Sequence, residues 1–453
     1  MAHKKLVLTD KWPVAPTERS DNAFLLLTVE EYRKLCRYLG TVINTHWDSL
    51  GSLAPNQVTP AVERLIHRTK KNPSPIYDLF ARVFHKFPSY YRRAAIAFAY
   101  GQVSSFQTRY REWVCGNSRK RKDSKPPSFN PDSGCYPTLY EGQCVKYRCD
   151  LDTRLNIASI KVFTGKDWVW IDTVIKKLGR RLFVSTNKML SPALIINGRS
   201  CHLSVPFYCK PKKVSGAENV VAIDLGINTT ATVRVIDFSG TVIHTEFIHP
   251  GRDIDRRDKR LKSISVRASK TMGKGGKLHK GFCSNTYQKC RRINENIAHH
   301  VSKRIADIAE RFQADAVVFE NMKGWKPRGG KKRSALRQRF HGWLKSRIHD
   351  YTQAKWAERG GKTITVLAAY TSKLAYDGSG TVRRDSKNYA LALFPNGRRY
   401  NADLNGANNI AGRGVIKLLS GNKKQSATGK SSGTEPRKWA CLCELWDRKK
   451  SVA

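Results

Sequence analysis

Residues 219–226 read NVVAIDLG, and this stretch decides the fold of the C-terminal half. The four consecutive apolar residues at 220–223 predict a strand. Asp224 ends this apolar run, and the Leu225-Gly226 pair after it favours a turn. The sequence therefore predicts a strand whose last residue is an acid.

The elements after this strand follow a recognisable order. Strands are predicted at 231–237 and 241–248, and short turns join all three. A basic helical region, an apolar strand at 316–319, a helix at about 343–358 and a strand at 363–367 come next. Three antiparallel strands followed by helix, strand, helix and strand indicate an RNase H-like α/β fold. We assign it to residues 216–415.

A small antiparallel β domain is predicted before it, over residues 129–215. Hydrophobicity alternates with a period of two from about residue 140 to 212, and Asn197-Gly198 is a favoured hairpin turn. A strand near residues 5–8, within a first segment 1–12, is assigned to the same domain. The helices between these two parts are then an insertion, and the chain as a whole is an α+β multidomain protein.

The inserted helical domain is predicted over residues 13–128. Thr28 and Glu31 form a capping-box pattern that favours a helix start, and a long helix is predicted from Ser89 to Cys115. At the other end of the chain, residues 416–453 are basic and include a stretch rich in Ser, Gly, Thr and Lys. This composition predicts a flexible tail.

Charge restricts the partners of this protein. Its 453 residues include 83 Lys+Arg and 36 Asp+Glu, a formal net charge of +47, with 40% hydrophobic residues. This hydrophobic content excludes a purely disordered basic chain, and the charge indicates a polyanion, with nucleic acid as the leading candidate. We expect no membrane partner, because no apolar run is long enough for a signal peptide or a bilayer span.

The cysteine count agrees with this assignment. Eleven cysteines, an odd number, favour reduced thiols rather than a disulfide framework. Secreted, membrane and small disulfide-rich classes are therefore excluded. The expected location is cytoplasmic and nucleoid-associated, in a prokaryotic cell.

Three acids are candidates for catalysis. Asp224 and Glu320 each end an apolar strand, and Asp403 opens a predicted helix. Taken singly, such acids are usually turn formers or N-caps. The first and fourth strands of an RNase H-like sheet are neighbours, however, so Asp224 and Glu320 can face each other. Their repulsion then favours a bound cation, and oxygen ligands select Mg²⁺ or Mn²⁺ over zinc. Two such ions support phosphodiester hydrolysis.

At these residues the sequence resembles a known family. The segments AIDLG at 222–226, VFEN at 318–321 and NADLNGANNI at 401–410 look like the three split RuvC motifs of transposon-encoded TnpB proteins and compact type V CRISPR effectors. The resemblance covers residues 217–413, and the upstream half is similar to the wedge and recognition domains of that family in order and size. It implies that Asp224, Glu320 and Asp403 bind the two catalytic metal ions. It also implies that a guide RNA directs cleavage of double-stranded DNA beside a short motif.

One departure from the family concerns zinc. The family usually carries a zinc ribbon with two Cys-x-x-Cys pairs between its second and third motifs, whereas residues 366–402 of this chain contain no cysteine. Thiolates are the ligands that a structural zinc would need there. We predict a metal-free remnant, in which either packing has replaced the zinc or DNA loading is altered.

Basic residues flank the second acid on both sides. Residues 256–304 contain 15 Lys+Arg against two acids, and residues 323–355 contain 11 against one. This density predicts phosphate contacts, which position a duplex without reading its sequence. The residues expected to make them are Arg256, Arg257, Lys259, Arg260, Lys274, Lys277, Arg291, Arg292, Lys331, Lys332, Arg333, Arg337 and Arg339.

The sequence leaves several alternatives open. A transposase or recombinase on the same fold would need no guide RNA, and a guided DNA binder would cut poorly or not at all. A structured-RNA-binding protein would explain the charge but not the acids. The source of a guide, a transposon end or a CRISPR array, is also open.

Overall fold

The chain forms two compact units, residues 1–210 and 211–453. The computed structural model describes residues 6–84, 86–116, 125–132, 134–149, 156–198, 200–211, 214, 216–227, 229–272, 277–322, 343–420 and 441–450. No helix among these residues is both long and apolar enough to cross a bilayer.

A seven-stranded antiparallel sheet forms the frame of the first unit. Its order is β2-β3-β4-β1-β7-β5, with β6 paired to β7. The strands are β1 (Leu6–Pro16), β2 (Val145–Cys149), β3 (Asn156–Phe163), β4 (Trp168–Ile175), β5 (Lys188–Met189), β6 (Ala193–Asn197) and β7 (Ser200–Cys209). The N-terminal strand therefore joins the later β segment, as predicted. It continues to Pro16 instead of ending near residue 12, because Trp12 and Val14 point into the core.

The helices of the first unit lie between β1 and β2 in sequence, so they are an insertion as predicted. They are α1 (Asn22–Thr45), α2 (Trp47–Leu50), α3 (Pro55–Ile66), α4 (Leu79–Val83) and α5 (Ser89–Val114). Helices and sheet share one apolar core, so the two predicted domains form a single unit.

The predicted helix start at Thr28 is wrong. Helix α1 already begins at Asn22, and Thr28 lies inside it. Its Oγ1 donates to the carbonyl oxygen of Phe24 at 2.7 Å and accepts the N–H of Phe163 in β3 at 2.8 Å. The hydroxyl thus joins the helix to the sheet instead of capping the helix.

The second unit contains a five-stranded sheet of order β10-β9-β8-β11-β12. Its strands are β8 (Asn219–Asp224), β9 (Ala231–Asp237), β10 (Val242–Ile248), β11 (Ala316–Glu320) and β12 (Lys362–Val366). The first three are antiparallel, and β11 runs parallel to both β8 and β12. This is the order expected for an RNase H-like sheet, with the first and fourth strands adjacent.

Helices pack on both faces of this sheet because its strands are apolar on both sides. The helices are α6 (Gly251–Met272), α7 (Ser284–Arg311), α8 (Lys345–Glu358) and α9 (Ala402–Leu419). Alternate strand residues divide between two cores. Ile223 and Phe319 pack with residues of α7 and α8, whereas Ala222 and Val318 pack with residues of α9.

A small sheet occupies the predicted ribbon remnant. Its strands, in spatial order, are β13 (Arg383–Arg384), β14 (Leu391–Leu393) and β15 (Arg399–Asn401). The flexible tail predicted at 416–453 differs from the structure at both ends, and its residues 421–440 lie outside the described residues. Helix α9 extends to Leu419, and residues 441–450 include a further helix, α10 (Cys443–Lys450). Leu442 and Leu445 are buried in this segment. Burial of such apolar side chains stabilises the docking of a short segment.

Candidate active site

Asp224 and Glu320 end two neighbouring parallel strands, which places both acids at one edge of the sheet. Asp224 is the last residue of β8, and Glu320 is the last residue of β11. The register pairs Ile223 with Phe319, so the acids follow at the next position of each strand. Both acids are half-buried, whereas the two residues before them are buried.

Asp403 approaches the acids from the start of α9. The helix is capped by Asn401, whose Oδ1 accepts the backbone N–H groups of Asp403 and Leu404 at 2.9 and 3.0 Å. The N-cap role therefore belongs to Asn401. The Asp403 carboxylate stays partly exposed, with its Oδ1 4.0 Å from Nη1 of Arg384.

Gly406 allows α9 to come close to the end of β8. A Cβ atom at this position would stand 2.6 Å from Oδ2 of Asp224 and 3.7 Å from Oγ of Ser372. Real Cβ atoms do not approach another atom so closely as the first distance. The missing side chain therefore makes room for the Asp224 carboxylate beneath the helix that carries Asp403.

The charges of the three acids act on one another. Burial, followed by the charges of Glu320 and Asp403, raises the pKa of Asp224 well above its usual range, and Arg384 opposes this shift. Burial also raises the pKa of Glu320, against the opposing effects of Thr371 and Arg413. Burial therefore disfavours the ionised form of both strand-end acids, and at Asp224 the charges of Glu320 and Asp403 add to this effect.

The three acids offer only carboxylate oxygens, the type of donor that a hard divalent cation prefers. Within the described residues, no three His, Cys, Asp or Glu side chains already stand at metal-binding spacing. The acids are nevertheless close enough to repel, and a cation between them would remove that repulsion. An all-carboxylate donor set suits Mg²⁺ or Mn²⁺ better than zinc.

The asparagines of the third motif have a structural role that sequence reasoning missed. Asn409 Nδ2 donates to the carbonyl oxygens of Thr371 and Leu374 at 2.9 and 2.8 Å. Asn405 Nδ2 donates to the Leu374 carbonyl oxygen at 2.8 Å, and its Oδ1 accepts the N–H of Tyr376 at 2.9 Å. Helix α9 thus holds residues 371–376 in place by hydrogen bonds, and we call this segment the acid-side loop. The repeated Asn residues of the third motif were the signal for this role in the sequence, because amide side chains that are buried in a helix need hydrogen-bond partners.

Arg413 fastens the chain just before this loop. Its Nη1 donates to the carbonyl oxygens of Leu367 and Ala369 at 2.7 and 2.8 Å. Its charge also acts favourably on Glu320. Arg413 thus holds the backbone after β12, and its charge also lowers the pKa of the Glu320 carboxyl.

Aromatic packing holds the predicted ribbon remnant. The rings of Tyr376, Phe394 and Tyr400 lie within 5.9 Å of one another, centroid to centroid. The guanidinium of Arg398 stacks over Tyr376 and Tyr400, and Arg234 donates to the Tyr400 hydroxyl at 2.6 Å. The segment therefore packs through aromatic side chains into the core that lies under α9, and none of its own residues is a cysteine.

Residues 441–446, which we call the C-terminal strap, pack against this remnant and against α9. The N–H of Cys443 donates to the Tyr376 carbonyl oxygen at 3.0 Å, and the Trp446 ring meets the Tyr376 ring edge-on at 6.2 Å. Gly412 of α9 permits the contact, since a Cβ atom there would lie 2.7 Å from Cα of Leu442. The strap is therefore part of the core beside the acids.

The predicted phosphate-contacting residues differ in exposure. Arg256, Lys259, Lys277, Arg291 and Arg292 are exposed, and Arg260 is half-buried. Arg257 does not fit the prediction, because its side chain is only 5% exposed and donates to Asp258 and Asn294 at 2.8 and 3.2 Å. The remaining six, Lys274, Lys331, Lys332, Arg333, Arg337 and Arg339, lie outside the described residues.

The chain is similar to one protein family over part of its length and to several solved structures. The model of the Aq_aa04 family matches residues 8–164. No curated protein sequence matches the chain.

Several solved structures resemble the chain at low identity. The Cas12f1–sgRNA–target DNA complex is 12% identical, with a TM-score of 0.49, over 90% of this chain and 99% of that one. The mini-RNA-guided endonuclease CRISPR-Cas_phi3 is 10% identical, with a TM-score of 0.49, over 91% and 92%. T. thermophilus RuvC in complex with a Holliday junction substrate is 12% identical, with a TM-score of 0.19, over 35% and 72%.

Proposed function

We propose that this protein is an RNA-guided DNA endonuclease that hydrolyses phosphodiester bonds with two divalent metal ions. One observation supports the proposal: after burial, the charges of Glu320 and Asp403, from two other motifs, raise the pKa of Asp224 at the end of β8. Acids that served only as turn formers or helix caps would not need to lie close enough for their charges to repel one another.

Asp224, Glu320 and Asp403 would hold the ions, Mg²⁺ with Mn²⁺ as a substitute. Ions bound by carboxylates activate a water molecule and stabilise the leaving oxygen in phosphodiester hydrolysis. The chain itself contributes the positions of its ligands. Asn401 caps α9 so that Asp403 is available, and Gly406 leaves room for Asp224.

The basic residues supply affinity for the nucleic acid. Exposed side chains of α6 and α7, among them Arg256, Lys259 and Arg291, would contact phosphates. The buried Arg257 is left out of this surface. The basic positions at 331–339 remain part of the proposal. Contacts of this kind hold a duplex by its backbone, so its sequence must be selected by other means.

Guide RNA is the proposed means of selection. The three motifs resemble those of TnpB and type V effectors, and the solved structures similar to the chain include the Cas12f1–sgRNA–target DNA complex. In such systems base pairing reads the sequence while the protein holds the heteroduplex by shape and reads a short duplex motif. The proposed partners are accordingly a guide RNA and double-stranded DNA, in the cytoplasm of a prokaryotic cell.

The test is to express the protein with its native flanking DNA, purify it at high salt and sequence the RNA that accompanies it. We expect one discrete species with a constant structured part and a guide-like end. The origin of that end separates a transposon guide from a CRISPR guide. Heterogeneous host RNA, or none, would contradict guidance and leave a transposase, a recombinase or a DNA-structure nuclease.

The cysteine-free ribbon remnant favours a second candidate, a guided DNA binder with reduced cleavage. This segment is held by aromatic packing and the C-terminal strap rather than by thiolates. A nicking assay with Mg²⁺ on a guide-matched target discriminates the two. Cleavage supports the endonuclease, and tight guided binding without any nick supports the binder.

Gly406→Ala is expected to lower cleavage by about 10²-fold, because small displacements of a catalytic group have effects of this size. The new Cβ atom would lie 2.6 Å from Oδ2 of Asp224 and displace the carboxylate. Single-turnover cleavage measures the effect. Gly101→Ala in α5 is the control, since nothing lies within 4 Å of its added Cβ atom. Equal activity of the Gly406 variant and the wild type would show that this close approach does not matter.

A further inference from the structure

Thr371 makes a direct contact with one of the three acids. It stands at the start of the acid-side loop and is only 2% exposed. Its hydroxyl donates to Oε1 of Glu320, and the same Oγ1 lies 3.0 Å from the carbonyl oxygen of Ala368. A hydroxyl has one proton to donate, and an ionised carboxylate is a stronger acceptor than a peptide carbonyl. The hydrogen bond therefore holds the Glu320 carboxylate in one orientation.

Hydrogen bonds from helix α9 fix the position of the Thr371 backbone. Asn409 of α9 donates to the carbonyl oxygen of Thr371 at 2.9 Å, and Arg413 holds Leu367 and Ala369 just before it. The hydroxyl thus belongs to a stretch of backbone that Asn409 and Arg413 hold by hydrogen bonds to three of its carbonyl oxygens. Helix α9, which carries Asp403, determines where the partner of Glu320 stands.

The next residue, Ser372, lies near the same helix position as another of the acids. Oγ of Ser372 and Oδ2 of Asp224 both border the space that a Cβ atom on Gly406 would occupy, at 3.7 and 2.6 Å from it. The acid-side loop therefore passes close to Gly406 as well as contacting Glu320. Neither hydroxyl belonged to the motifs that sequence analysis identified.

We propose that Thr371 is a positioning residue that orients the Glu320 carboxylate toward a divalent cation. The inference rests on the proposed function, because it presumes that Glu320 is a metal ligand. Groups that hydrogen-bond a metal ligand commonly change metal affinity or activity by about 10- to 100-fold when they are removed. Thr371 itself touches neither metal nor substrate in this role.

The experiment measures Mn²⁺ binding to the full-length chain, by electron paramagnetic resonance of the free ion. Thr371→Val keeps the shape of the side chain and removes its proton, so we expect the dissociation constant to rise about 10-fold or more. Thr371→Ser restores the hydroxyl and is expected to bind Mn²⁺ within about twofold of the wild type, which a purely steric role for threonine does not predict.

Thr363→Val is the matched control. Thr363 lies in β12, and its Oγ1 is buried without a hydrogen-bond partner in the described part of the chain. We expect this variant to bind Mn²⁺ like the wild type. Thermal denaturation of each variant separates loss of folding from loss of binding.

The outcomes are distinguishable. Unchanged Mn²⁺ affinity in folded Thr371→Val, or an equal loss in Thr363→Val, would overturn the positioning role and leave the proposed nuclease intact. A folded wild-type protein that binds no Mn²⁺ would overturn the proposed function, and this inference with it. Weak binding by Thr371→Val together with recovery by Thr371→Ser supports the role.

Discussion

Replacing Asp224 by asparagine is expected to remove metal-dependent cleavage while it leaves nucleic-acid binding intact. The substitution keeps the shape of the side chain but removes the charge that a cation would meet at the end of β8. Metal ions contribute several kcal/mol to transition-state stabilisation, so we expect a loss of about 10³-fold or more. The measurement is single-turnover cleavage of a guide-matched duplex with Mg²⁺, beside a binding assay on the same duplex.

The same substitution is expected to stabilise the metal-free protein. The pKa of Asp224 is raised by burial and by the charges of Glu320 and Asp403, so its ionised form opposes folding near neutral pH. A neutral side chain removes this repulsion. Denaturation in the presence of a chelator should therefore show a higher free energy of unfolding for the variant.

Asp237→Asn is the control for both measurements. Asp237 ends the neighbouring strand β9, and its Oδ1 accepts hydrogen bonds from Ser239 and from the N–H of Thr241. We expect cleavage to be unchanged, because this acid serves only the turn. Wild-type cleavage by Asp224→Asn would refute the assignment of the catalytic acids.

Leu442→Ala is expected to lower the free energy of unfolding of the second unit by about 2–5 kcal/mol, the usual range for a fully buried leucine. Leu442 is 0% exposed and packs in the core that also contains Tyr376 and Val415. Chemical denaturation measures the loss. Cleavage should fall as well, since the C-terminal strap contacts the carbonyl oxygen of Tyr376 at the end of the acid-side loop.

Leu419→Ala provides the matched control. This leucine, near the end of α9, is 51% exposed, so its truncation should change stability by less than about 0.5 kcal/mol. An equal effect of both substitutions, or none from Leu442→Ala, would show that the strap is not docked in solution.

The sheet and its two strand-end acids could be predicted because their signals are local. The apolar run before Asp224 marks a buried strand, and the order of the later elements makes its parallel neighbour the strand that ends at Glu320. Helix α5 was predicted within one residue, because Pro88 fixes where it begins.

The errors share a physical cause, which is that a side chain's partner can lie far away in sequence. Thr28 fits a capping pattern, yet its hydroxyl meets the N–H of Phe163, 135 residues later. Arg257 belongs to a basic run, yet its buried guanidinium donates to Asn294, 37 residues later, as well as to the adjacent Asp258. Composition predicts a flexible tail, whereas Leu442 is buried by contacts that no local sequence pattern indicates.

The position of the C-terminal strap has a consequence for the timing of biosynthesis. Residues 441–446 are translated after every other element of the second unit that the structure describes, apart from the remainder of α10. A ribosome-bound chain that already contains Asp224, Glu320 and Asp403 therefore lacks the strap. Long-range contacts of this kind form late, and domains complete folding only once all their parts are available. Completion of the proposed acid site would thus wait until residues 441–446 have been translated.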